Sequence, residues 1–163
     1  MKLKIKAVIE DLRVMNINWR YRYAKLSIAL LFLIITMLQL LSIPGQFRHM
    51  RSMGAIKFWH EIFLTALMAL IMLSAQIILI SLWKSVELMA ENNFYTTSSL
   101  KWINLIVKAL KFALICALIL LTTILFQADD PGGPVALTAL TLFISTLFVL
   151  TSLLRDQITS KVK

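Results

Sequence analysis

The chain holds one cysteine, four glycines, three prolines and two histidines in 163 residues, and eight acidic side chains against seventeen basic ones. Each shortage excludes something. A single cysteine, Cys116, cannot build an intramolecular disulfide framework and reads as a small buried hydrophobe. The glycines stand at 45, 54, 132 and 133 and the prolines at 44, 131 and 134, all outside the long apolar stretches. Transporters that break helices at the membrane midplane favour Gly and Pro at the break, so the apolar stretches here are expected to be continuous helices. No internal or inverted repeat is visible, which removes a second transporter signature. No Asp, Glu, Arg or His occupies the centre of an apolar stretch, so the sequence offers no proton relay, counter-ion or gating charge.

Candidate chemistry is equally sparse. His60-Glu61 resembles the start of a zinc-protease helix, but Leu64 stands where the second histidine is required. His49 and His60 lack a third ligand. Asp129 and Asp130 are two adjacent carboxylates without the further oxygens a calcium ion needs. Serines and threonines are plentiful, yet none has a base beside it to activate a nucleophile. The expectation is a protein that is not an enzyme and carries no cofactor and no metal.

What the chain does have is four apolar runs, residues 24–43, 62–83, 109–126 and 135–154, each close to the roughly 20 residues a helix needs to cross a bilayer core. Apolar content is 60% and mean hydropathy +0.83, leaving little material for a soluble domain. The expected fold is all-α: one polytopic membrane domain over residues 1–163, with four transmembrane helices at about 24–43, 61–83, 104–127 and 134–154. The first run is too long, and Leu41-Ser42-Ile43-Pro44 too bulky, for a cleaved signal, so that helix is expected to be retained. With the N-terminus inside, fourteen basic residues face the cytoplasm and three, Arg48, Arg51 and Lys57, face out. The positive-inside rule then places both termini in the cytoplasm of a bacterial inner membrane.

In residues 1–22, Ile5, Val8, Ile9, Leu12, Met15 and Trp19 recur at helical spacing among lysines and arginines. This predicts an amphipathic helix in the cytoplasmic interface, drawn to anionic lipids; direct nucleic-acid binding is not expected. Pro44-Gly45 is read as a turn that ends the first helix. Trp59 and Trp83 bracket the second helix at its two interfaces, and Ser85, Glu87 and Glu91 extend it beyond the membrane. Ser98 or Ser99 is the expected N-cap of the third helix, with Trp102 at its cytoplasmic interface. Lys108 and Lys111 lie deeper, where they either snorkel to the headgroups or line the inner mouth of a cavity. Pro134 suits the first turn of the fourth helix.

Packing residues stand out more than chemical ones. Ala109, Ala113 and Ala117 form a small-xxx-small row that admits a close neighbour. Thr138, Thr141, Ser145 and Ser152 fall near one face of the fourth helix, able to bond across helices or to their own backbone. Gln39 and Gln76, the most polar groups at depth, should face the bundle interior or another copy of the chain, because an unsatisfied amide in hydrocarbon is costly.

Four helices with both termini inside, the connection Glu91-Asn92-Asn93-Phe94-Tyr95-Thr96-Thr97 and the closing Leu153-Leu154-Arg155-Asp156 resemble the bacterial membrane family called domain of unknown function 2975. Many of its members have a glycine where this chain has Asn93 and an acidic tail where it has Lys161-Val162-Lys163. Some are encoded beside a small helix-turn-helix regulator, so the resemblance implies a role in holding or signalling to a DNA-binding protein. The combined expectation is a regulatory or scaffold protein that binds a partner through its basic N-terminal helix and residues 85–101. Two alternatives stand beside it: a small oligomeric permease lined by Gln39, Gln76 and the hydroxyls of the fourth helix, and an accessory subunit of a larger membrane complex.

Overall fold

The structure is a computed structural model. It describes the backbone of residues 2–54, 56–91, 95–126 and 131–162, and within these the side chains of residues 19–161. Asn92, Asn93, Phe94, Asp129 and Asp130, as well as the side chains of Ile5, Val8, Ile9, Leu12 and Met15, lie outside the described residues. The described backbone is helical, with no strand: α1 (Lys2–Met37), a π-helical turn (Leu38–Ser42), α2 (Ile43–Ser52), α3 (Phe58–Ala90), α4 (Thr97–Leu125) and α5 (Gly132–Val162). Four helical segments are long and apolar enough to cross a membrane: Trp19–Ser52, Phe58–Ala90, Thr97–Leu125 and Gly132–Lys161.

The basic N-terminal segment and the first span share one unbroken helix, α1. At its far end the expected turn at Pro44-Gly45 does not occur, and helix continues to Ser52. In α geometry Pro44 would offer no N–H to the carbonyl of Leu40 and its ring would collide with that oxygen. One wider turn immediately before it accommodates the mismatch, with the Ile43 N–H bonded to the Leu38 carbonyl five residues back. The chain reverses only at Gly54, whose φ of +77° a side chain would strain and whose N–H caps the Arg51 carbonyl at 2.9 Å.

The core lies between α3 and α4 and takes in Ile144 of α5. Inward positions on α3 are Leu64, Leu67, Ile71, Ser74, Ile78, Ser81 and Ser85, and on α4 Ser99, Ile103, Ile106, Leu110, Ala113, Ala117 and Leu120. Both rows alternate steps of three and four residues, the seam of a left-handed helix pair. One core cluster sets Leu64, Leu67 and Ile71 of α3 against Leu110, Ala113, Ala117 and Leu120 of α4. Serines on α3 and alanines on α4 keep the seam narrow, which lets the two backbones approach closely. The serines behave as small residues because their hydroxyls are already spent: Ser74, Ser81 and Ser85 donate to the carbonyls of Leu70, Ile77 and Ser81 at 2.8–2.9 Å.

Among the described residues, α1 packs on α3 and α5 on α4, while α1 meets neither α4 nor α5. The four-helix bundle is thus an open series in chain order, with α3 and α4 central. Outward faces carry leucine, isoleucine and phenylalanine, suited to lipid.

Candidate functional site

The helices are longer than the hydrocarbon they cross, and at the end opposite α2 three of them extend together. α3 runs seven residues past Trp83 to Ala90, α4 begins at Thr97 and α5 continues past Leu154 to Val162. At 1.5 Å per residue this adds a helical layer about 10 Å tall. It is packed: Ser85 is 6% exposed, Ser99 0% and Ile158 1%. The extension by Ser85 and Glu87 is as expected from sequence, with Glu91 as the residue that closes the helix.

Polar contacts knit this layer. Lys25 on α1 reaches Glu87 on α3 at 3.2 Å, and Lys84 holds the other carboxylate oxygen at 2.9 Å. Lys25 also sits 5.4 Å from the centre of the Trp83 ring, and Tyr21 donates to the Met89 carbonyl at 3.3 Å. At α5, Lys161 lies 4.8 Å from the Tyr95 ring and Arg155 pairs with Asp156 at 2.8 Å. These are partly exposed pairs that fix orientation more than they add stability. The layer is basic, since Arg20, Arg22 and Lys101 are exposed there, while Lys108 and Lys111, also exposed, lie deeper on α4. The opposite end has one described ion pair, Arg51 to Glu61 at 2.8 Å.

The expected N-cap is displaced. Thr96, not Ser98 or Ser99, caps α4, its hydroxyl accepting from the Ser99 N–H at 3.5 Å. Ser99 is three residues further on, where its hydroxyl is buried in the seam without a partner among the described residues. A threonine one turn earlier is the better cap because Thr96 takes the extended backbone that a cap requires.

Trp19, at 68%, and Trp59, at 77%, are exposed, while Trp83 and Trp102 are half-buried. Lys108 joins Thr97, Lys101, Trp102 and Asn104 in lining a groove of about 510 Å³ on α4; Lys111 is exposed one turn below.

The helix-packing residues divide. Ala109, Ala113 and Ala117 are all buried. Gln76 faces inward and donates to the Thr36 hydroxyl at 3.0 Å, which itself donates to the Phe32 carbonyl, so the amide joins α3 to α1. Gln39 lies half-buried in the π turn, with no hydrogen bond among the described residues. Thr141 is buried and Thr138 exposed, and both bond to their own helix at the Leu137 and Pro134 carbonyls; Ser145 and Ser152 are half-buried. Pro134 stands in the first turn of α5, as expected. Three features escaped the sequence reading: the serine seam of α3, the Lys25–Glu87–Lys84 clasp and the π turn. The seam alone left a signal, its heptad spacing.

His49 and His60 sit at the end away from the basic layer, and among the described residues no three His, Cys, Asp or Glu side chains converge. Comparison with curated proteins and with solved structures found no match. Residues 20–161 match the family described as protein of unknown function (DUF2975), a span that takes in all four membrane helices and the packed basic layer, and the chain belongs to that family.

Proposed function

We propose that this integral membrane protein is a non-catalytic regulator or scaffold of the bacterial inner membrane, with both termini cytoplasmic, that holds a protein partner on its basic end. The supporting observation is the packed layer beyond the membrane. Three helices continue there and bury Ser85, Ser99 and Ile158, making a defined surface where chain ends needed only for topology would have no reason to be ordered. A basic surface of this kind recruits acidic partners electrostatically. That the partner is a small helix-turn-helix regulator rests on the family resemblance alone.

The test is in-cell crosslinking and gentle detergent capture with the intact protein, followed by mass spectrometry. The expected result is a small soluble protein, lost when residues 88–99 are scrambled or residues 1–18 deleted while membrane insertion is retained. Interactions and phenotype unchanged by both alterations refute the reading.

A second reading, assembly with another copy or within a larger complex, has its own support. The most apolar windows of the first and fourth spans are only 6% and 11% buried, so both edge helices turn most of their surface outward. Recovery of a defined homo-oligomer in the same experiment would favour it. The permease reading draws little support from the side chains it needs, since Gln76 is committed to Thr36 and the described α5 threonines to their own backbone.

A further inference from the structure

Between α1 and α3, just below the Lys25–Glu87–Lys84 clasp, runs a lateral groove of about 390 Å³. Its walls are Ala29 and Phe32 on one side and Leu79 and Ile80 on the other, and Trp83 and Lys84 stand at its upper end. The small side chain of Ala29 leaves the space open where neighbouring positions on α1 are large. An apolar slot that opens sideways in the membrane fits a hydrocarbon chain, and its mouth decides which molecule carries that chain.

The mouth is basic. Glu87 shares its charge between Lys25 and Lys84, so one positive charge is left over. Lys84 has half its side chain exposed, at 47%, and only one of its three N–H donors is engaged by the carboxylate. Arg22 is exposed and lies seven residues before Ala29, hence on the same face of α1, about 10 Å nearer the headgroups. Glu91, seven residues after Lys84, is the other acidic group near this face. Trp83, beside Lys84, has the amphipathic ring that prefers headgroup depth. Charge at the mouth and hydrocarbon shape below it are complementary to one molecule.

We infer that this groove is a binding site for one anionic phospholipid of the leaflet at the basic end, an acyl chain lying between Ala29 and Ile80 and the phosphate held by Lys84 and Arg22. The site stands independently of any protein partner. It gives the weakly buried α1 a lipid that bridges it to α3.

Trp83 reports on occupancy. In the full-length protein with Trp19, Trp59 and Trp102 changed to Phe, reconstituted in phosphatidylcholine bilayers, quenching by acyl-brominated phosphatidylglycerol is compared with quenching by acyl-brominated phosphatidylcholine. The expected result is half-maximal quenching at a mole fraction about fivefold lower for the anionic lipid, the selectivity that one basic side chain at the headgroups provides. Lys84→Gln with Arg22→Gln should abolish the preference and leave residual quenching by both lipids. Ala29→Phe, or Ala29→Leu if the larger side chain disturbs folding, should fill the groove and reduce both the preference and the depth of quenching. Equal quenching by the two lipids in the parent overturns the inference, as does a preference that survives both Ala29 variants, which would reflect headgroup attraction with no chain in the groove.

Discussion

The α3–α4 pair and the first edge helix, α1, are built from the same residue types yet held in place differently. In the most apolar window of α4, 44% of residues are buried, against 6% in the first span. Leucine and isoleucine fill both, so hydropathy does not separate them. Spacing and side-chain size do: α3 and α4 bury small residues, Ser74, Ser81, Ala113 and Ala117, along a heptad seam, whereas α1 is tied to α3 by polar links at Gln76–Thr36, Lys25–Glu87 and Tyr21–Met89. In a membrane the hydrophobic effect gives helices little reason to leave lipid for one another, so close packing and hydrogen bonds carry association. The central pair uses the first of these, as does α5 through Ile144 in the same core cluster, and α1 adds the second.

The largest test of this contrast is Leu120→Ala, at a side chain 1% exposed in the seam. Lipid is as apolar as the core, so the transfer part of the usual loss largely disappears and the cavity part remains. The expected cost is about 1–2 kcal/mol, below the 2–5 kcal/mol common in water-soluble cores, measured by reversible unfolding in mixed micelles. Leu150→Ala, on the outward face of α5 at 57% exposure, should change the same midpoint by no more than a few tenths of a kcal/mol. Equal effects at the two positions would erase the distinction between centre and edge.

Next in size is Thr96→Ala, which removes the α4 cap and should cost about 0.5–1 kcal/mol, at the lower end of cap effects because the bond is long. Hydrogen exchange should rise in the first turn of α4 and leave α1 unchanged. Gln76→Leu should weaken the edge by about 0.6 kcal/mol, the average for a hydrogen bond between membrane helices. A double variant with Thr36→Val should lose no more than either alone, and spin-label distances between α1 and α3 should broaden while those between α3 and α4 stay sharp. The smallest effect belongs to Glu87→Gln. Its pairs are partly exposed, so the loss should be the smallest of the set and should vanish in high salt, as seen in melting curves at two ionic strengths.

The elements differ in how far local sequence could reveal them. Four spans and the burial of Ala109, Ala113 and Ala117 were legible because hydropathy and small-residue spacing act within one helix. Pro44 was misread because proline usually ends a helix, and whether a π turn can absorb it instead depends on backbone geometry across five residues. Ser99 looked like a cap because cap preference is a property of residue type, and only the position of the preceding loop assigns that role to Thr96. At the basic end, the charges were evident from composition. Their pairing was not, because Lys25 and Glu87 stand 62 residues apart.

By itself the sequence determined solvent and element type: runs of about 20 apolar residues, free of central charge, leave a chain no stable option in a bilayer but helices that satisfy their own backbone. It also determined which end is basic, since charge is additive along the chain. The tertiary structure alone decided which helices are central, which serines serve as small packing residues, and that Gln76 binds Thr36 and Lys84 stands over an apolar groove. Those outcomes depend on facing surfaces of different helices, and a helix in lipid has many nearly equivalent ways to turn until a partner's shape and hydrogen bonds select one.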